Sequence, residues 1–300
     1  MDWDTLAKVY TANGIPALRG QALAPYTTFK IGGPAALFCR PETNAQLAAA
    51  LRLAKGAGAR VYLLGKGSNV LFADEGFDGV VIQIGPSMGG VEIHGSTICA
   101  GAGEPLSQVC LAAAEAGLTG LEFAYGIPGS VGGAVYMNAG AYGGEMKDVL
   151  EDVTFLDDRG GEHTLPAEEL CLSYRTSIFT SRPWCILCAK LRLSHGDRQA
   201  VRARMDELAH RRAEKQPLDL PSAGSTFKRP AGAFAGALID QCGLRGYQVG
   251  GAAISEKHCG FVVNLGGATC ADVLALTEHV QAVVRQKTGY DLEREVRVVR

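Results

Sequence analysis

Glycine is the feature that most constrains this sequence. The chain holds 39 glycines in 300 residues, clustered in short loops at Gly32-Gly33, Gly65-x-Gly67, Gly101-x-Gly103, residues 126–133 and residues 140–144. A residue without a Cβ adopts positive φ and lets the main chain approach a ligand closely. Several such loops in one chain suit a long ligand with a phosphate centre. Any single one also serves as an ordinary strand-to-helix turn.

Two familiar phosphate cradles are excluded. Gly65-Lys66-Gly67-Ser68-Asn69-Val70 and Gly101-Ala102-Gly103-Glu104-Pro105-Leu106 both lack the last glycine of the G-x-G-x-x-G fingerprint. A P-loop needs Ser or Thr after Gly-Lys, whereas Gly67 follows Lys66 and position 60 is Arg. The loops still offer main-chain N–H groups. Residues 65–69 follow a β-prone run, where successive N–H groups can form an anion-holding nest. Residues 126–133 offer a second nest, and two nests in one lobe suit a pyrophosphate gripped from both sides.

Bulk properties narrow the class. Three hundred residues suffice for two or three compact units. The formal net charge of -2 gives no electrostatic footprint for nucleic acid. No run approaches the length of a membrane span, and acidic Met1-Asp2-Trp3-Asp4 does not read as a secretory signal. The nine cysteines are odd in number and sit in apolar runs, as buried free thiols do in a reducing compartment. Cys185 and Cys188 form a C-x-x-C inside a predicted strand at residues 184–193. Three apart in a strand, they point to opposite faces, about 10 Å along the chain, and read as packing thiols. No His/Cys/Asp cluster has metal spacing.

Periodicity predicts an α+β chain. Helices are expected at 43–56 with Thr43 or Asn44 as N-cap, at 105–116 ending at Gly117, at 197–215 with Val201, Met205 and Leu208 on one stripe, at 233–242 and at 269–287. Thr269 and Asp272 resemble a capping box. Strands are expected at 60–64, 79–84, 96–100, 148–156, 161–165, 184–193, 261–265 and 291–299. A turn at 157–160 joins two of them. Prolines stiffen a linker at 216–221.

Specific motifs carry a resemblance. Thr28-Phe29-Lys30-Ile31-Gly32-Gly33-Pro34-Ala35, Leu64-Gly65-Lys66-Gly67-Ser68-Asn69-Val70-Leu71 and Gly126-Ile127-Pro128-Gly129-Ser130-Val131-Gly132-Gly133-Ala134 occur in that order. Asn138-Ala139-Gly140-Ala141-Tyr142-Gly143, Tyr174-Arg175-x-Ser177-x-Phe179 and Ala223-Gly224-Ser225-x-Phe227-Lys228-Arg229-Pro230 follow, and Gly289-x-x-Leu292-x-x-Glu295-Val296 closes the chain. Together they resemble the UDP-N-acetylenolpyruvoylglucosamine reductases, in their shorter subtype, over nearly the whole chain. The early glycine motifs are shared with other flavoproteins of the vanillyl-alcohol-oxidase type. The Gly-Ser-x-Phe-Lys segment and terminal Glu-Val are more diagnostic.

The resemblance implies a vanillyl-alcohol-oxidase-type two-lobed FAD-binding fold plus an α+β substrate-binding domain. Residues 1–85 would form the first lobe, with 291–300 returning to it, 86–196 the second lobe, and 197–290 the substrate domain. FAD would be held by Gly65, Lys66, Gly67, Ser68, Asn69, Gly126, Ile127, Pro128, Gly129, Ser130, Gly132, Gly133 and Ala134. It would be noncovalent, since no His adjoins a glycine nest in the first lobe. NADPH would reduce the flavin and leave, and a UDP-linked enolpyruvyl sugar of cell-wall synthesis would take its place. The implied setting is cytoplasmic, with no protein partner called for.

Reducing an enol ether attached to a carboxylate is a conjugate addition, so the protein must stabilise developing negative charge and deliver one proton. Arg175 fits the first need, because a guanidinium meets a carboxylate bidentately. Ser225 fits the second if a neighbour such as Lys228 polarises its hydroxyl. Glu295, read as lying on a terminal strand opposite Val296 and Val298, would serve as a protonated donor. Tyr174, Lys228 and Arg229 are candidates for the diphosphate or uridine, with Arg229 standing where many relatives carry Asn. His258 and Asn264 are read as supporting or purely structural. Two alternatives remain open: an oxidase or dehydrogenase of the same flavin fold, and a non-catalytic nucleotide-binding module.

Overall fold

The computed structural model describes residues 1–300. The chain divides into two compact units. The first comprises Met1–Arg19, Leu37–Lys66 and Gly79–Arg212, and the second Gly20–Ala36, Gly67–Asp78 and Ala213–Arg300. A single apolar core runs through the first unit, from Leu6 through Ile82, Ile98 and Leu187 to Met205.

The first unit is built on a five-stranded antiparallel sheet in the order Glu162–Pro166, Leu150–Leu156, Cys185–Arg192, Thr97–Gly101, Val91–His94. The expected hairpin turn is present. The Asp157 N–H donates to the Gly161 carbonyl at 2.8 Å, and its carboxylate accepts from the Arg159 and Gly161 N–H groups. Helix Val131–Tyr136 packs on Cys185–Arg192. That segment is glycine-rich and reads as loop, yet buried Val131, Ala134 and Val135 form an apolar face that tertiary packing stabilises as helix. Cys185 and Cys188 are free thiols. Burial pushes Cys185 up to about 12 and raises Cys188, as expected of packing groups. Val61–Leu64 pairs in parallel with Phe77–Gln83, Leu64 lying opposite Gln83. Helix Asn44–Gly56 starts where the Thr43 hydroxyl accepts from the Gln46 N–H. Helix Trp3–Ala12, capped by Asp2, has no counterpart in the sequence reading.

The second unit has a four-stranded antiparallel sheet in the order Ser222–Ser225, Phe261–Asn264, Ala252–Ile254, Gln248–Val249. Helices Ala235–Gln241 and Cys270–Thr288 complete its core. Cys270–Thr288 buries Val273, Leu276, Thr277, Val280 and Val284 at helical spacing, and Thr269 and Asp272 form the expected capping box. Asp74 accepts from the Cys270 and Ala271 N–H groups, so this helix start is already satisfied. No helix is long and apolar enough to cross a membrane.

The terminal strand is shorter than expected. Only Arg297–Val299 is strand, paired in parallel with Val70–Phe72. Residues before it make individual contacts instead: the Leu292 carbonyl accepts from Gln281 Nε2, and Arg294 forms an isolated bridge with Phe227. Glu295 is therefore not on a strand face, and the expected alternation against Val296 and Val298 does not apply.

Candidate functional site

Two glycine loops meet in the first unit. A Cβ placed on Gly65 would lie 2.7 Å from Ser130 Oγ, so a side chain at 65 would fill the space where the loops adjoin. Ile127, Gly129, Val131 and Gly132 donate their N–H groups to the carbonyls of Ala124, Ile127, Glu104 and Ala102. Those bonds fix the second loop. The N–H groups of Gly65, Lys66, Gly126 and Ser130 donate to no main-chain carbonyl. Nearby at the sheet end, Gln83 has a buried Oε1 without a hydrogen-bond partner. Uncommitted N–H donors and a cradle that a Cβ would fill suit the anionic centre of a dinucleotide such as FAD, while the orphaned Gln83 acceptor suits an N–H or O–H donor of the same ligand. Gln83 escaped the sequence reading because nothing marks a glutamine at a strand end.

The next residues belong to the second unit. Gly67 has φ +63°, and a Cβ there would meet the Tyr26 carbonyl oxygen at 2.2 Å. Its own carbonyl accepts from the Thr28 N–H at 3.1 Å. Gly67→Ala combines left-handed strain with a backbone clash. It is expected to destabilise the fold by at least about 2 kcal/mol, read as a lower denaturation midpoint. Asn69, assigned to the cofactor from its motif, donates from Nδ2 to the Glu295 carbonyl at 3.3 Å, and its carbonyl accepts from the Arg297 N–H.

Ser225 and Glu295 are brought together. Strand Ser222–Ser225 carries a register shift against Phe261–Asn264, with Gly224 at φ +76°. A bulge re-aims the side chains that follow it. Ser225 is exposed, whereas Thr226 is buried, its Oγ1 accepting from the Val262 N–H. The Thr226 carbonyl accepts from the Glu295 N–H at 2.8 Å, and the Lys228 N–H donates to the Glu293 carbonyl at 2.8 Å. The residue after Ser225 is thus bonded directly to Glu295, across some seventy positions of sequence. Thr28 Oγ1 donates to the Ser222 carbonyl at 2.6 Å, tying down the start of the same strand.

Arg175 lies in the first unit, on a tight turn closed by two hydrogen bonds between the main chains of Ser173 and Thr176. Its φ is +57°, rare for a residue with a long side chain. The surroundings hold it there. Buried Asn138 donates from Nδ2 to the Ser173 carbonyl at 3.0 Å, and buried Ser177 Oγ donates to the Tyr136 carbonyl at 2.7 Å. The guanidinium lies over the Tyr174 ring at 5.1 Å and reaches the Gly140 carbonyl at 3.5 Å. Asn138 and Ser177 sit in quoted motifs, but their positioning roles emerge only in three dimensions.

The remaining candidates are placed as follows. Lys228 pairs with Glu293 at 2.5 Å, so it is not a free cation beside Ser225. Arg229 stacks over exposed Phe234 at 3.8 Å. Tyr174 is exposed. Asn264 is structural, its Nδ2 donating to the Phe29 carbonyl and its Oδ1 accepting from Gly266 and Ala268. His258 Nδ1 accepts from the Gly260 N–H, and burial lowers its pKa.

The fold and the glycine cradle define an FAD-binding oxidoreductase. Residues 35–165 match an FAD binding domain, and residues 216–299 match the C-terminal domain of UDP-N-acetylenolpyruvoylglucosamine reductase. A berberine bridge enzyme variant, 16% identical with TM-score 0.50, shares the fold over 64% of this chain and 44% of its own. The UDP-N-acetylenolpyruvoylglucosamine reductase of Agathobacter rectalis is 48% identical, over 94% of this chain and 93% of that protein. The enzyme of the same name from Caldanaerobacter subterraneus is 46% identical, over 91% and 90%. The crystal structure of the Thermus caldophilus reductase superposes with TM-score 0.81 at 37% identity, covering 95% of this chain and 99% of that one. The chain belongs to the UDP-N-acetylenolpyruvoylglucosamine reductase family.

Proposed function

We propose that this protein is a cytoplasmic, NADPH-dependent flavoenzyme. It reduces the enolpyruvyl double bond of UDP-N-acetylglucosamine enolpyruvate to give UDP-N-acetylmuramate for peptidoglycan precursors. One observation carries the reading beyond family membership: the hydrogen bond from Glu295 to Thr226 sets a carboxyl-bearing residue beside the turn that presents Ser225.

Bound FAD, taking electrons from NADPH, supplies the hydride. Arg175 holds the substrate carboxylate and stabilises charge that develops there. Ser225 delivers the proton from an exposed hydroxyl on a bulged strand. Glu295, protonated, donates a hydrogen bond to the same developing charge. Tyr174, Lys228 and Arg229 contact the UDP portion. A phosphate at Lys228 competes with Glu293, whose carboxylate is 72% exposed and whose ion pair is therefore weak.

The purified protein is expected to be yellow or to become so with FAD. NADPH should bleach it without oxygen, and the enolpyruvyl sugar nucleotide should restore the colour. Bleaching by an alcohol or hydroxy acid without NADPH would support an oxidase instead. A protein that takes up no flavin would support the non-catalytic module.

A further inference from the structure

Arg212 closes the first unit and packs its side chain against Gly126, the first residue of the second glycine loop. A Cβ on Gly126 would lie 3.0 Å from Arg212 Cδ and 3.7 Å from its NH1 nitrogen. The neighbours differ. Arg204 and Arg211 both pair with Glu207, and Arg202 pairs with Asp206. Arg212 has no ion pair or hydrogen bond and is half-buried, with only Tyr142 acting on it electrostatically. Burial disfavours its charge and lowers its pKa. A half-buried cation without a counter-charge is costly, and such groups are ordinarily paired. The loop it touches has uncommitted N–H groups at Gly126 and Ser130 and meets a second such loop at Gly65.

We propose that Arg212 is a cofactor-anchoring residue whose missing counter-charge is the pyrophosphate of FAD. The assignment rests on the flavoenzyme reading above. A group with two negative charges suits loops that offer N–H donors together with one guanidinium. A side chain at 126 would crowd the arginine stem, which would have to give by a few tenths of an ångström. The sequence hides this role, since Arg212 lies in a charged helix where arginines read as solvated.

The test uses Arg212→Met and Arg212→Lys in the full-length protein, stripped of flavin and titrated with FAD by fluorescence quenching. Arg212→Met is expected to raise the FAD Kd about ten- to a hundredfold, the size of a lost charge-assisted contact, and Arg212→Lys by less. The melting temperature of the apo protein should not fall, because the unpaired charge is costly there, and the midpoint potential of the FAD-saturated variants should stay at the wild-type value. An unchanged Kd overturns the proposal. A shifted potential with unchanged Kd also overturns it, placing the guanidinium at the flavin ring. A lowered apo melting temperature that lysine does not restore reduces Arg212 to a structural role. If the wild type itself binds no FAD, the flavoenzyme reading fails first, so the two failures are distinct.

Discussion

Ser225→Ala is expected to leave NADPH-driven flavin bleaching within about threefold of wild type, while slowing reoxidation by the enolpyruvyl sugar nucleotide about 10²- to 10⁴-fold. The asymmetry follows from where a proton is needed. The first half-reaction moves hydride from NADPH and takes nothing from a serine. The second protonates a carbon, for which a hydroxyl must be presented. Ser225 is exposed, so its truncation leaves no buried partner unsatisfied, and stability should change by less than about 0.5 kcal/mol. Two neighbours serve as controls. Ser222 contributes its carbonyl to Thr28 rather than its hydroxyl, so Ser222→Ala should leave both half-reactions intact. Thr226→Val removes the acceptor of the Val262 N–H and should cost about 1–3 kcal/mol in stability. Stopped-flow traces at the flavin band measure both half-reactions. Equal slowing of the two in Ser225→Ala, or Ser222→Ala matching it, would remove Ser225 from the proton-donor role.

The contrast between these serines shows what the sequence could convey. Local signals were readable: the Thr269 capping box, the turn at 157–160 and the buried stripe of Val201, Met205 and Leu208 rest on contacts within a few residues. Glu295 was chosen by motif, but its placement was misread. A run rich in β-formers looks like strand, while its main chain is parcelled among Thr226, Asn69 and Gln281, all distant in sequence. Helix Val131–Tyr136 failed for the opposite reason, because tertiary burial overrode poor glycine propensity. The unpaired state of Arg212 and the orphaned Gln83 oxygen are statements about absent partners. No pattern of residue types contains them.

Arg175 offers the second large effect, and its unusual backbone makes the test sharper. Arg175→Gly removes the guanidinium from a position where φ is +57°, which glycine occupies without strain. Relief of that strain offsets the extra chain entropy of glycine, so stability should stay within about 1 kcal/mol of wild type. Reoxidation by the enolpyruvyl sugar nucleotide should nevertheless slow about 10²- to 10³-fold, the scale of losing one preorganised stabiliser of developing charge. Arg175→Lys keeps charge but loses the planar fork, and should recover only part of that. Arg175→Val is both chargeless and β-branched at positive φ, so it should lose activity and stability together. Asn138→Ala leaves the arginine in place but releases the Ser173 carbonyl that holds its turn. It should slow reoxidation less than Arg175→Gly while lowering stability more. A turn that matters only for folding would leave Arg175→Gly fully active and Asn138→Ala merely unstable. That outcome would take the guanidinium out of the chemistry.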